Sequence, residues 1–230
     1  MKVIEIKDLV KIYNSGEVQV KAVNGINIDF EEGEFTAVVG PSGSGKTTFL
    51  NMLGGLDRPT EGEVKIGGTN VWELSSRKLI DFRMNNIGFV FQAYNLIPVL
   101  TAGENIEFIM QLQGKPKKER DARTKELLEA VGLADRIKSR PGKLSGGQQQ
   151  RVAVARALAS HPKFILADEP TANLDSKATS SLLEMMAEMN RKFNTTFIFA
   201  THDQRVMDKA KRIITIEDGK ILKDERFERK

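Results

Sequence analysis

Apolar and polar residues alternate with a period of two through VIEIKDLV (3–10), INIDF (26–30) and EVKI (63–66). That period predicts strands with one buried face. FTAVV (35–39) and FILAD (164–168) are near-continuous apolar runs, the pattern of central strands covered on both faces. IGFVF (87–91) is a further short β-type run, and the turn residues EEGE (31–34) and TEGE (60–63) suit tight connections. From Ala93 to Ser160 the spacing becomes helical, over Thr101–Gln113, Lys117–Val131 and Gly146–Ser160, punctuated by Pro116, Pro141 and Pro162. Alternation then resumes: FILAD, a helix over 176–192, the strand Thr195–Thr201, a short helix, and two apolar-rich runs joined at Asp218-Gly219, a hairpin signal.

Strands that alternate with helices imply an α/β chain built on a parallel sheet. The helical zone interrupts that alternation as an insertion. The predicted organisation is one domain over 1–230, with an α/β core from 1–92 and 161–230 and a helical subdomain over 93–160.

Composition narrows this little. A chain of 230 residues can bury a full core, and 40% hydrophobic with 29% charged residues is ordinary for a globular protein. The net charge of +4 mildly favours nucleic acid or an anionic membrane face without choosing between them. Cysteine is absent, which removes disulfides, thiol catalysis and cysteine metal sites and fits a reducing cytosol. The N-terminus has no apolar h-region, and no stretch reaches the roughly 18 apolar residues of a spanning helix. A role at a membrane would therefore need a membrane partner.

The strongest chemical signal is GPSGSGKT, Gly40 to Thr47. It follows the strand 35–39 and opens a helix, as the pattern G-x-x-x-x-G-K-[ST] requires. Gly40, Gly43 and Gly45 let the backbone turn its amides inward around phosphate, with Pro41, Ser42 and Ser44 completing the loop. Lys46 reaches toward the β- and γ-phosphates, and the Thr47 hydroxyl suits Mg²⁺. The loop predicts nucleotide binding but no particular reaction.

FILAD ends in Asp168-Glu169, at the carboxyl edge of the sheet, beside that loop. Asp168 suits Mg²⁺ through its water shell, and Glu169 suits a general base for an attacking water. Two acids at a strand end are alone equally consistent with simple capping. His202 follows another strand; it is placed to bond a γ-phosphate, or merely to cap the helix that begins near Asp203. Gln92 ends the strand 87–91, where an amide can reach metal and water, or be an ordinary loop residue. Tyr13 lies in an early turn before Gly16, where its ring can stack on adenine or sit half-buried at a strand end.

LSGGQ, Leu144 to Gln148, repeats the ingredients of the first loop: a hydroxyl, two glycines and a helix start. Ser145 and the amides of Gly146 and Gly147 can take a γ-phosphate. A second such loop in another lobe is most useful if it covers the nucleotide of a second copy of the chain, in a head-to-tail pair of two-fold symmetry.

With these residues in this order, the chain resembles, over essentially its whole length, the nucleotide-binding cassette of ABC transporters. GPSGSGKT looks like the Walker A motif, Gln92 the Q-loop, LSGGQ the signature, FILADE Walker B, Asn173-Leu174-Asp175 the D-loop and His202 the switch histidine. The resemblance implies a P-loop NTPase fold with an N-terminal antiparallel β region. It implies ATP and Mg²⁺ as ligands and an ATP-sandwich dimer working on a membrane permease from the cytoplasmic face. Thr48, Gln148 and Asp175 join the nucleotide contacts, and Lys46 and Gln92 the catalytic set, on the same basis. GFVFQAYNLIPVLTAGENI (88–106) and LSGGQQQRVAVARALA are similar to lipoprotein-release and macrolide-efflux cassettes (LolD-like and MacB-like); cell-division and amino-acid importer cassettes share much of them. The apolar stretch Tyr94–Leu100, expected to be helical and exposed, is the docking candidate. A soluble ABC ATPase acting on nucleic acid fits less well, because 93–160 is too short for a coiled-coil insertion and KPKKER (115–120) resembles a solvated helix start. A nucleotide kinase would lack LSGGQ.

Overall fold

The computed structural model describes residues 1–15 and 18–228. The elements run β1 (Lys2–Ser15), β2 (Val18–Glu31), β3 (Phe35–Val39), α1 (Lys46–Leu53), β4 (Glu61–Ile66), β5 (Thr69–Asn70), α2 (Ser76–Asn86) and β6 (Ile87–Phe91). They continue with α3 (Ala102–Leu112), α4 (Lys117–Ala130), α5 (Gly146–Leu158), β7 (Phe164–Asp168), α6 (Ser176–Phe193), β8 (Thr196–Ala200), α7 (Gln204–Lys209), β9 (Arg212–Glu217) and β10 (Lys220–Arg226).

Two sheets form. One is antiparallel, in the order β2-β1-β4-β5. The other has the order β10-β9-β3-β8-β7-β6, parallel from β9 to β6 and closed by the antiparallel hairpin β9–β10. Parallel pairing puts the carboxyl ends of β3, β6, β7, β8 and β9 on one edge. The residues that follow those strands therefore gather there, although they are far apart in sequence.

Two hydrophobic layers hold this frame. Phe30, Phe49, Ile66 and Phe164 pack between the two sheets around α1. Ile106, Leu127, Val152, Leu182 and Met186 join the helical zone to the opposite face of the parallel sheet. Helix starts follow local chemistry. Thr101 and Glu104 form a reciprocal capping box at α3, and Ser145 and Gln148 do the same at α5. Asp175 caps α6 by accepting from the Ala178 amide at 2.8 Å, and α6 ends at Asn194 in the left-handed region (φ 48°).

Three local expectations are corrected. The strand-rich first zone contains a helix, α2, none of whose residues is buried. Only Leu79, Phe82 and their neighbours are half-buried, so the sequence carries no apolar stripe to announce it. Tyr94–Leu100 is irregular, not helical. Tyr94 and Asn95 have positive φ (47° and 50°), which an α-helix does not admit, and Leu96 packs against the core while Val99 is 70% exposed. Tyr13 lies within β1, opposite Val20, and not in a turn; Gly16, the other residue of that expected turn, lies outside the described residues.

Candidate functional site: a phosphate cradle at the sheet edge

The loop after β3 is built around glycines that tolerate no side chain. Gly40 (φ 150°) would place a Cβ 2.0 Å from the Ile216 carbonyl, and Gly45 (φ 103°) would place one 2.1 Å from the Ala22 carbonyl. The hairpin β9–β10 and strand β2 thus press directly on the loop and fix its curvature. Ser44 is buried, and its Oγ has no hydrogen-bond partner among the described residues. The Lys46 ammonium folds back to donate to the carbonyls of Gly40 (2.8 Å) and Pro41 (2.9 Å). A cation hydrogen-bonded to two backbone carbonyls inside a glycine-rich loop is a fit for an anion such as phosphate.

Across the cradle stand the acids. Thr47 Oγ1 lies 3.3 Å from Asp168 Oδ1. Burial, reinforced by the neighbouring Glu169 charge, pushes the Asp168 carboxyl above its usual range, against the Thr47 hydrogen bond and Lys46. A hydroxyl beside a carboxylate is a hard-oxygen pair suited to Mg²⁺. Among the described residues no group of three or more His, Cys, Asp or Glu side chains could hold a metal ion, so a cation here would take most of its ligands from phosphate and water.

Glu169 has φ 46°, uncommon for a residue with a side chain. Its Oε1 lies 2.8 Å from His202 Nδ1, and its Oε2 accepts from the Thr201 hydroxyl at 3.3 Å. The His202 side chain is 76% exposed, open to the cleft. The cleft has a volume of about 600 Å³ and is walled by residues 40–43 and 45–48, Ala22, Glu169 and His202. It therefore brings together eight loop residues from 40–48, Lys46 and Thr47 among them, with Glu169 and His202, and Asp168 adjoins it through its contact with Thr47.

Tyr13 and Gln92 border this centre without lining it. The Tyr13 hydroxyl donates to Asp57, and the Lys11 ammonium sits 4.9 Å from the ring centroid. Burial and the Asp57 hydrogen bond raise the Tyr13 hydroxyl pKa, while a hydrogen bond with Thr48 of the cradle works the other way. Gln92 is exposed; its carbonyl accepts from Asn173 Nδ2 at 2.9 Å.

Ser145, Gly146, Gly147, Gln148 and Asp175 are not brought to the cleft within this chain. Ser145 Oγ accepts from the Gln148 amide at 3.3 Å and Gln148 Oε1 accepts from the Ser145 amide at 2.9 Å. A side chain on Gly146 would meet the Tyr94 hydroxyl at 2.8 Å. The signature segment thus abuts the residues after Gln92, not the phosphate cradle. Sequence reasoning missed Thr201, Asp57 and Ala22, and it named Asn173 within the D-loop without its bond to the Gln92 carbonyl. Thr201 had a signal, a hydroxyl at a strand end beside His202. Asp57, far from Tyr13 along the chain, had none.

The ABC transporter family model matches residues 23–172. An uncharacterised ABC transporter ATP-binding protein of Thermotoga maritima is 52% identical over 96% of this chain and 94% of its own length. The lipoprotein-releasing system ATP-binding protein LolD of Geobacter metallireducens is 44% identical, over 96% of this chain and 98% of that protein. The macrolide export ATP-binding/permease protein MacB of Hyphomonas neptunium is 48% identical over 96% of this chain, which spans 34% of MacB. Among solved structures, a dimeric ATP-binding cassette in a post-hydrolysis state with ADP and Pi superposes with a TM-score of 0.88 at 41% identity, covering 99% of this chain and all of that one.

Proposed function

Since the chain belongs to the ABC transporter family as an ATP-binding cassette, we propose that it is the ATP-hydrolysing subunit that drives a separate membrane permease. The observation that carries this reading is the pairing of Glu169 with His202 across one cleft from a glycine cradle holding Lys46. On nucleotide binding, Lys46 exchanges the carbonyls of Gly40 and Pro41 for phosphate oxygens, and the loop amides of 40–47 surround them. Glu169 polarises an attacking water and takes its proton. His202, hydrogen-bonded to Glu169, orients that carboxylate and meets the terminal phosphate. Mg²⁺ bound with ATP supplies neutralisation of the charge that develops on the transferred phosphoryl; Thr47, Asp168 and Gln92 are the side chains suited to hold it. Tyr13 stacks on the base.

Ser145, Gly146, Gly147, Gln148 and Asp175 act in this reading on the cleft of a second copy. The dimeric form of the solved relative supports that arrangement. The permease seats a helix in the apolar groove lined by Phe89, Phe91, Phe108 and Leu112, of about 330 Å³. Phe108 and Leu112 are 40% and 57% exposed there, and no helix among the described residues is long and apolar enough to cross a membrane. The cassette in this reading sits peripherally on the cytoplasmic face. Similarity to LolD and MacB favours lipoprotein release or macrolide-type export as the transport step it powers. Ion pairs of Lys115 with Glu119, Lys117 with Asp121 and Arg120 with Glu107 already occupy the basic stretch 115–120, which speaks against a nucleic-acid patch.

Glu169→Gln tests the engine. It should bind ATP, lose turnover by about a hundredfold or more, and migrate as a dimer in millimolar ATP with Mg²⁺. A variant that stays monomeric there would refute the two-copy site. Capture of that trapped variant from native membranes tests which transport step is powered. A permease of few spans with a large extracytoplasmic domain supports release or efflux, and a compact many-span permease with a binding protein overturns it.

A further inference from the structure

Gln150 lies in α5 beyond the Ser145 cap, and its surroundings are unusual for an amide. It is completely buried. Its Nε2 donates to the Pro170 carbonyl at 2.7 Å and to the Phe91 carbonyl at 3.3 Å. Both partners can only accept, so the nitrogen must face them. Its Oε1 is left buried with no donor. A methionine would fill a similar volume and strand no acceptor of its own. The amide is therefore accounted for by what it donates to.

The Pro170 carbonyl belongs to the residue that follows Glu169. Glu169 holds φ 46° directly before a proline, where extended backbone is favoured. Such a conformation persists only where its surroundings over-determine it. On one side the Glu169 amide donates to the Ala200 carbonyl at 2.9 Å. On the other, Gln150 is the donor to Pro170, and among the described residues no backbone amide reaches that carbonyl. Farther along the same helix, Arg156 donates to the carbonyls of Tyr94 (2.9 Å) and Asn95. One helix thus grips the segment after Glu169 and the segment after Gln92 together.

We propose that Gln150 is a positioning residue for hydrolysis: its buried amide pins the peptide after Glu169, keeps that carboxylate aimed into the cleft, and ties it to the helix that begins at Ser145. This rests on the reading of Glu169 as the general base. Movement of α5, when its capped end engages the nucleotide of a second copy, would then be transmitted directly to the base.

Gln150→Met removes the donor and keeps the volume. Well below its own Tm it should lower kcat about tenfold while leaving KM and the Kd for ATP within about twofold. Gln150→Asn, which withdraws the amide by one methylene, should lose kcat in the same sense, and it serves if the methionine variant does not fold. In a Glu169→Gln background, single-turnover hydrolysis should show no further loss from Gln150→Met, because the group being positioned is gone. An unchanged kcat, a change confined to KM, or the same loss factor in both backgrounds would overturn the proposal. Wild-type turnover in Glu169→Gln alone would instead overturn the reading of the base, and this inference with it.

Discussion

The sheet edge and the start of α5 carry similar ingredients, glycines and hydroxyls at a helix N-terminus, yet their surroundings differ. At the sheet edge the chain completes its own constellation: Lys46, Thr47, Asp168, Glu169 and His202 converge from three strand ends. At α5, Ser145 and Gln148 satisfy each other, and the segment lines no wall of the cleft. In the two-copy reading, the first region is a half-site, one side of a site that a second copy closes, and the second is a cap that serves the other copy's nucleotide. Parallel strand ends assemble the first within one chain; the second, carried on an inserted lobe, lines no wall of that chain's cleft.

Mixing two inactive variants breaks or sharpens this contrast with the largest expected effect. Lys46→Ala removes the cradle's cation, and Ser145→Arg blocks the cap's free surface. Each homodimer should be nearly inactive. Mixed together, the heterodimer keeps one site with an intact cradle from one copy and an intact cap from the other, so ATPase activity should reappear. Absence of activity on mixing would mean that cradle and cap serve the same chain's nucleotide, which their separation within one chain argues against. The double variant Lys46→Ala/Ser145→Arg mixed with the unaltered chain is the control, since both of its heterodimeric sites are broken.

The same contrast explains what was legible in the sequence. The cradle could be read because its chemistry is local: eight consecutive residues, a strand before and a helix after. Asp168 and Glu169 were readable as the end of an apolar run, and the parallel sheet then placed them. The helices α3, α4 and α5 announced themselves by helix-type residue spacing and by the prolines that punctuate it. What escaped depends on tertiary contact. Helix α2 buries no residue and so left no stripe. Tyr94–Leu100 is apolar, but its backbone turns through two positive φ values, held by Arg156 from α5. Asp57 meets Tyr13 because Lys11, bonded to Asp57 and the Arg58 carbonyl, and Thr60, bonded to Val10 and Ile12, bring the two segments together. Gln150 belongs to the polar run QQQR (148–151), and burial separates it from the half-buried Gln149.

A smaller effect is expected at the border of the sheet-edge site. Tyr13 offers a ring whose one side carries Lys11. Stacking of a base on such a ring is worth about 1–3 kcal/mol by truncation, and this ring is partly exposed. Tyr13→Ala should raise KM for ATP about tenfold with kcat nearly unchanged, and Tyr13→Phe should stay within about twofold of the parent. If the alanine variant lowers kcat instead, Tyr13 acts through Thr48 on the cradle rather than on the base. Isothermal titration with ATP and with inorganic triphosphate separates the two outcomes, because triphosphate has no base to stack.

The smallest effect on turnover is expected at the far end of the same sheet, and it tests whether the sheet edge is insulated from its base. Arg212 is 5% exposed and donates to Asp224 (2.7 and 2.8 Å), Glu34 and the Asp29 carbonyl, stapling β9 and β10 to the turn before β3. The Arg212 hydrogen bond holds the Asp224 carboxyl below the usual carboxylate range. A depressed carboxylate contributes stability that is present above the unfolded pKa and lost as pH falls through the folded one. Asp224→Asn should therefore lower Tm near pH 7, where the staple is intact, and lower it progressively less as pH falls below the usual carboxylate range, where the parent's own carboxylate takes up its proton. Because Asp224 is partly exposed and Glu34 remains beside Arg212, the loss should be only a few degrees. Turnover per folded molecule should not change, because Gly40 and Gly45 are pressed by the Ile216 and Ala22 backbones, not by this staple. A fall in kcat at a temperature where Asp224→Asn is fully folded would show that β9 transmits strain along its length to the cradle, and that the half-site is less self-contained than its geometry at the strand ends implies.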